Sequence, residues 1–417
     1  MSNSSHIKTI VQKFGGSSLA TAELREIAAS RVLETRARGA SPVVFCSAMG
    51  RAPEAYATDT LLGLLGPSRD GPNRDLLAAC GELISCAIFA ELLTSWGADA
   101  QAMSGGQAGF LTDHRYGDAK ILRVDPAAVL GALERGIIPV IAGFQGMSAE
   151  GAVTTLGRGG SDLSAIAMGQ ALGSESVEIY TDVSGVMTGD PRRIAGAHTI
   201  DRVNYAEMTE LASDGAKVMH HKAADYARLT STPYSVKGLR SNLGTVIDDG
   251  HRPDPMRPVS GITSLRDITF VRVIQGEMDD AEARRKLELT VFGRIAERDV
   301  SVDMINVNNA GIFFVCDSDK VEIVRRELSD LNLAVRVRPH CAKISVVGAG
   351  MRGAPGVMYR VVQALVNAEI EIIHSTDSNI TISVLVAQDD VARAEQSIHD
   401  AFKLGRPTVA QKVEATP

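Results

Sequence analysis

Over its first 245 residues the chain alternates short, continuous apolar runs with stretches of helical periodicity, and this constrains the fold more than any other feature. Ile7–Phe14 reads as a strand ending in Gly15-Gly16-Ser17-Ser18, after which Leu24, Ile27, Ala28 and Val32 fall at helical spacing. Val43–Ala48 is apolar throughout, the pattern of a strand buried on both faces of a sheet. Asp75–Trp96 reads as a long helix. Asp125 reads as an N-cap, with Pro126 at the first helical position and Gly136 just past the end, before the apolar strand Ile137–Phe144. A further helix starts near Asp162 and stops at Gly173, and the strand Val177–Thr181 follows. Strand after helix after strand predicts an α/β domain with a largely parallel sheet and helices on both faces.

Asp248–Ser260 carries Pro253, Pro255 and Pro258 among several charges and reads as an exposed linker. Beyond it the chain repeats itself. Asp299–Val302 and Glu369–Ile372 lie 70 residues apart, and at that offset Val291 meets Val361, Asn309 meets Asn379, Ile312 meets Ile382 and Val321 meets Val391. Each copy reads strand, helix, strand, turn, strand, helix, which is a split βαβ module occurring twice. The expected bounds are 1–247 for the first domain, 248–260 for the linker, and 261–339 and 340–417 for the two copies.

At 417 residues and 45% hydrophobic content, the chain has material for several cores. A net charge of −7 with no basic run, and only 4% aromatic residues, argue against a nucleic-acid partner. Cys46, Cys80, Cys86, Cys316 and Cys341 are scattered without a CxxC pair and read as reduced thiols. No signal peptide is visible, and no apolar run is read as approaching the roughly 18 residues of a membrane span. The expectation is a cytoplasmic protein with no membrane partner.

Three glycine-rich segments compete for the chemistry. Lys13-Phe14-Gly15-Gly16-Ser17-Ser18 leaves a strand and enters a helix, where N–H groups and the positive helix end favour an anion; a tight turn alone would also need these glycines. Thr155-Leu156-Gly157-Arg158-Gly159-Gly160-Ser161-Asp162 repeats the logic with Arg158, which can fork onto a carboxylate or phosphate. Asp162 is equally readable as a helix N-cap. Two such loops, each with one cation, suit phosphate, although no GxxxxGK[ST] occurs. Gly348-Ala-Gly350-Met-Arg-Gly353 matches GxGxxG but lies in the repeat and leads to a hairpin, not to further crossovers, so it is set aside as a dinucleotide site. Tyr180–Arg192 ends a strand in a polar loop, where open α/β sheets bind ligands.

Taken in order, Lys13–Ser18, Gly81–Ser85, Ala142–Gly146, Thr155–Ala165, Tyr180–Arg192 and Glu207–His220 resemble the aspartate kinases (aspartokinases). The repeat resembles their tandem regulatory ACT domains, most closely at Ser301–Ile305 and Val346–Met351. His374–Ile382 is similar to the diaminopimelate-sensitive aspartokinase type of bacilli. The resemblance implies an amino-acid-kinase three-layer α/β/α sandwich followed by two ACT (βαββαβ) domains. It implies phosphoryl transfer from Mg-ATP to the β-carboxylate of L-aspartate, opening the route to lysine, threonine, methionine and diaminopimelate.

Carried over residue by residue, Lys13 with Gly15 and Gly16 resembles the group that neutralises the phosphoryl in flight, and Asp162 the carboxylate that orients that lysine. Arg158, with Gly159, Gly160 and Ser161, resembles the grip on the substrate α-carboxylate, Glu82 that on its ammonium, and Ser47 lies near the substrate. Phe14, Thr181, Asp182, Met187, Asp190, Arg192 and Lys217 match nucleotide-side positions. Mg2+ is expected through the phosphates, with no protein metal site. An amino-acid effector (lysine, threonine or diaminopimelate) is expected near Asp303, Met304, Ile305 and Asn306 and near Met351, Pro355, Gly356 and Val357, in a homo-oligomer paired through the ACT domains.

The chain departs from the family pattern at four places. Ser17 stands for a usual Thr, Ser184 for a usual Asp and His221 for a usual Pro, and the first copy lacks the Pro355-Gly356 pair of the second. Other readings stay open: Glu82 as a solvated helix residue, Lys217 as a surface lysine, and His220 and His221 as packing contacts in place of zinc ligands. A kinase for another acid such as glutamate, and a silent amino-acid sensor, are the competing functions.

Overall fold

The apolar runs become the inner strands of one eight-stranded sheet. In the computed structural model, residues 7–66, 69–215, 218–250, 257–274, 281–331 and 333–405 are described. They form two units. The first takes residues 7–66, 69–186, Thr199–Ser213 and 218–250; the second takes Met187–His198, Asp214, Gly215 and the described residues from 257 onward.

The first unit runs β1 (Thr9–Phe14), α1 (Gly16–Leu19), α2 (Ala22–Ala37), β2 (Ser41–Cys46), α3 (Thr58–Gly63), α4 (Pro72–Ser95) and β3 (Ala100–Met103). Next come β4 (Phe110–Thr112), β5 (Ile121–Val124), α5 (Ala127–Glu134), β6 (Ile138–Ala142), β7 (Gln145–Ser148), β8 (Val153–Thr155) and α6 (Gly160–Leu172). It closes with β9 (Ser176–Thr181), β10 (Arg202–Val203), α7 (Tyr205–Ser213), α8 (His221–Thr230), β11 (Tyr234–Gly238) and β12 (Gly244–Ile247).

The main sheet has the order β10-β12-β11-β9-β1-β2-β6-β3 and is parallel except for β11 against β12. β1 sits at its centre between β2 and β9, which carries Lys13 level with Phe45 and Ile179. A second sheet, β5-β4-β7-β8, was not expected. Its strands are only three or four residues long, too short to show a period, and β8 ends in Thr155 at the edge of the second glycine loop.

Helix α4 corrects one expectation. It contains a stretch long and apolar enough to cross a membrane by length and composition, and half of that stretch is buried inside the protein. Ala78, Ala79, Glu82, Ser85, Cys86, Phe89, Ala90 and Leu93 are buried at the three- and four-residue spacing of one helix face. Gly81 in mid-helix costs about 1 kcal/mol against Ala. It is explained by close approach, since a Cβ there would lie 2.8 Å from both Ala48 Cβ and the Tyr56 carbonyl oxygen. Two N-caps also shift: Pro126, not Asp125, caps α5, and Gly159 caps α6, which puts Asp162 inside the first turn.

The second unit contains β13 (Gly261–Ile274), α9 (Ala281–Ala296), β14 (Asp303–Asn308), β15 (Gly311–Asp317), α10 (Val321–Leu328) and β16 (Ala334–Val347). The second copy follows with α11 (Val357–Asn367), β17 (His374–Asp377), β18 (Thr381–Ala387) and α12 (Val391–Ala401). β15 and β18 begin and end 70 residues apart, α10 and α12 begin 70 apart, and Asp299 and Glu369 share a left-handed φ of 53° and 56°.

The sheet order is β14-β15-β13-β16-β18-β17, with the long strands β13 and β16 antiparallel at its centre. These two strands serve both copies. Gly261–Leu265 pairs with Lys343–Val347, and Ile262 packs with Ile344, Val361 and Ile398 of the second copy. Val271 and Val273 pack with Val291, Phe314 and Leu328 of the first. The expected 339/340 boundary therefore falls inside β16, and the start of β13 lies in the core of the second copy. Strand exchange of this kind leaves no trace in periodicity.

Candidate active site

Lys13 is the last residue but one of β1, and its Nζ lies 2.6 Å from Asp162 Oδ1 in the first turn of α6. Both side chains are nearly buried. Gly16 beside Lys13 is needed for close approach: a Cβ there would sit 2.4 Å from the Ala48 carbonyl oxygen, whereas one on Gly15 would come no nearer than 3.6 Å to any neighbour. The Gly15 N–H donates to the Tyr180 carbonyl at 3.3 Å and the Ser47 N–H to the Phe14 carbonyl at 3.1 Å, so the β1, β2 and β9 ends are stitched together.

A cavity of about 570 Å³ opens over these ends. It brings together Lys13, Gly16, Ser47, Glu82, Arg158, Gly159, Gly160, Ser161 and Asp162, as read from the sequence. Gly15 and Phe14 do not line it. Phe14 is fully buried and stacks on Tyr180 at 4.9 Å. Arg158 is exposed on the rim and has no carboxylate partner among the described residues. Gly159 has φ +78° and could not carry a Cβ, which would come 2.2 Å from His220 Cβ. The Gly160 N–H donates to the Gly157 carbonyl at 2.9 Å, so Ser161 and Asp162 present the N–H groups that open α6.

Glu82 is the strongest surprise of charge. It is 3% exposed; its Oε1 accepts from the Ala48 N–H at 3.1 Å, and its buried Oε2 has no hydrogen-bond partner among the described residues. Burial pushes its carboxyl up to about 8, against the lowering effect of the Ala48 N–H. The reading of Glu82 as a solvated helix residue is excluded.

Sequence reasoning missed Asp75. Its buried carboxylate accepts from the Gly117 N–H at 2.9 and 3.1 Å and from the Thr155 N–H at 2.6 Å, fixing two cavity-lining loops to α4. Burial raises its carboxyl despite these bonds. In sequence it is only an acid in the first turn of a helix, which the helix dipole alone would explain.

Thr181 ends β9 and Asp182 follows it, with Thr181 Oγ1 donating to Asp182 Oδ1 at 3.0 Å and Arg51 pairing with Asp182 at 3.3 Å. Neither lines the cavity. Met187, Asp190 and Arg192 belong to the second unit, where Arg192 forks onto Asp190. Lys217 lies outside the described residues. His220 caps α8 by accepting from the Lys222 N–H at 3.4 Å, and burial lowers its imidazole. His221 occupies the first helical position of α8, where Pro is favoured but not required. No group of three or more metal-ligating side chains occurs among the described residues.

Among the expected effector residues, Met304, Met351 and Val357 are buried in apolar clusters, so their side chains pack the modules. Ile305, Asn306, Pro355 and Gly356 are exposed. Asp303 is 2.7 Å from Lys343, whose other partner is Asp214 at 2.8 Å. Lys343 was not singled out in the sequence, because a lysine in an apolar strand gives no sign of two distant acids.

A parallel sheet carrying a cation–carboxylate pair and two glycine loops at one end defines an amino acid kinase, and residues 8–237 match the amino acid kinase family. Residues 344–402 match an ACT domain. Aspartokinase 1 of Bacillus subtilis is 39% identical over 96% of this chain and 100% of its own. The structure of E. coli aspartokinase III in complex with aspartate and ADP (R-state) superposes with a TM-score of 0.75 at 25% identity, covering 94% of this chain and 99% of that one. The same enzyme with lysine and aspartate (T-state) gives 0.74 at 25% identity, again over 94% and 99%. The chain belongs to the aspartokinases and is a kinase acting on aspartate.

Proposed function

We propose that the cavity holds L-aspartate between Glu82 and Arg158 and presents its β-carboxylate to the γ-phosphoryl group of ATP at Lys13. The observation that carries this is the Glu82 carboxylate, buried with a free Oε2 in the wall of the cavity that also holds Lys13 and Asp162. A buried acid without a partner costs stability, and a substrate ammonium would remove that cost. Arg158 supplies the planar fork for the α-carboxylate, and Ser47, Gly159, Gly160 and Ser161 line the space between.

In the reaction a β-carboxylate oxygen bonds to the γ-phosphorus as the bridging bond to ADP breaks, giving 4-phospho-L-aspartate. A carboxylate nucleophile needs no strong base, so the chain's work is positioning and charge neutralisation. Lys13 neutralises the transferring group, with Gly15 and Gly16 forming the turn beside it and Gly16 lining the cavity, and Asp162 fixes Lys13. Thr181, Asp182, Met187, Asp190, Arg192 and Lys217 are assigned to the nucleotide, Phe14 acting only through its backbone. The donor set among the described residues holds no carboxylate cluster and so fits Mg2+ carried on the ATP phosphates, where the ion would share their charge.

E. coli aspartokinase III, complexed with lysine, supports an amino-acid effector here. We assign it to the exposed residues Asp303, Ile305, Asn306, Pro355 and Gly356, with lysine, threonine or diaminopimelate as candidates, in a homo-oligomer joined through the ACT copies. Trapping acyl phosphate with hydroxylamine tests the chemistry: aspartate gives hydroxamate, while glutamate and no-acceptor controls do not. Equal trapping with glutamate would contradict the substrate assignment.

A further inference from the structure

Three residues of the segment that follows β9 in the chain are held by side chains of helix α12. Thr188 Oγ1 and His399 Nε2 are 3.0 Å apart. Arg193 Nη2 donates to Glu395 Oε1 at 2.9 Å, and its Nε lies 2.8 Å from Oε2. The Ala195 N–H donates to Gln396 Oε1 at 2.7 Å. Glu395 and His399 are one helical turn apart, so they share a face, and they are 1% and 0% exposed. A carboxylate so buried is costly unless it is paired, and Arg193 pairs it.

Arg193 also lies 3.4 Å from Asp190, which is 2.9 Å from Arg192. A line of alternating charge thus runs from Glu395 through Arg193 and Asp190 to Arg192. Strand β13 steadies the same segment: the Ile262 N–H donates to the Thr188 carbonyl at 2.9 Å, and Arg193 donates to Ser264 Oγ at 3.1 Å.

The repeat supplies an internal comparison. Seventy residues before Glu395, Gln396 and His399 stand Arg325 and Arg326 on α10 and Ser329 just past its end. Arg325 is half exposed and pairs only loosely with Glu322 at 3.8 Å. The apolar face is kept in both helices, with Val324 and Leu328 matching Ala394 and Ile398, all buried. The module therefore folds without the clamp, which is an addition to the second copy.

We infer that Glu395 and His399 are positioning residues for the nucleotide, acting through Arg193 and Thr188 to fix Asp190 and Arg192. The second ACT copy is then a working part of ATP affinity as well as a place for an effector. The inference rests on the assignment of Asp190 and Arg192 to the nucleotide.

Steady-state kinetics of the full-length enzyme tests it. Glu395→Gln keeps the shape and removes the charge. It should raise KM for ATP about tenfold, the scale of one charge-assisted hydrogen bond, with KM for aspartate and kcat within about twofold. Glu395→Asp should recover part of the loss, and Arg325→Ala should change nothing. A folded Glu395→Gln enzyme with an unchanged KM for ATP overturns the inference. If that variant does not fold, Thr188→Val reads the same clamp by the loss of the His399 contact: a raised KM for ATP supports the inference and an unchanged one overturns it. Arg192→Ala separates the two layers. If it raises KM for ATP while Glu395→Gln does not, the clamp fails and the nucleotide assignment stands; if it leaves KM for ATP unchanged, the assignment fails and the inference with it.

Discussion

Lys13 Nζ stands 2.6 Å from Asp162 Oδ1, so the central strand of the sheet and the first turn of α6 meet through one nearly buried ion pair. A lysine alone is a flexible point charge. Held by Asp162, it is fixed at the floor of the cavity before any ligand arrives, which is the preorganisation that electrostatic catalysis needs.

Asp162→Asn should therefore lower kcat by about 10- to 100-fold, because the lysine loses its anchor but keeps its charge. KM for aspartate should change little. A variant with unchanged kcat and a raised KM for aspartate would place Asp162 on the substrate side.

Glu82 gives a pH signature. Its carboxyl stands at about 8 in the folded protein against an ordinary 4.5. The stability it contributes is complete below 4.5 and is lost as pH rises through about 8. Glu82→Gln should flatten the fall in denaturation midpoint between these values, followed by urea titration. Aspartate's ammonium should ionise Glu82, releasing roughly 0.9 proton per site at pH 7 for a starting value of about 8. Calorimetry in buffers of different ionisation enthalpy reads that number; no proton release would contradict the ammonium assignment.

Arg158→Lys should raise KM for aspartate by about tenfold or more and leave KM for ATP nearly unchanged, since the charge stays and the planar fork is lost. The reverse pattern would move Arg158 to the nucleotide.

Much of the candidate site was legible because it lies in local pattern. Lys13 and Arg158 stand beside glycines whose spacing marks loops, and Lys13, Glu82, Arg158 and Asp162 all line one cavity. What the sequence hid depends on distant pairing. Asp75 takes its meaning from Gly117 and Thr155, Lys343 from Asp214 and Asp303, and Glu395 from Arg193. The short strands β4, β7 and β8 were invisible because three or four residues carry no period. α4 misled in another way, since Asp75 and Glu82 are buried on the apolar face that its composition shows.

Lysine, threonine or diaminopimelate should inhibit the full-length enzyme, with a coupling of about 1–3 kcal/mol, or roughly 5- to 150-fold in substrate affinity. Titrating each into the aspartate-dependent rate checks it. If none changes the rate or the aspartate affinity, the effector assignment at Asp303, Ile305, Asn306, Pro355 and Gly356 fails.

The most direct test of the whole account is the turnover of Lys13→Ala with aspartate and ATP. Turnover should fall by about 100-fold or more, with circular dichroism unchanged and aspartate still bound in calorimetry. Turnover equal to that of the unmodified enzyme in a folded Lys13→Ala protein would contradict it.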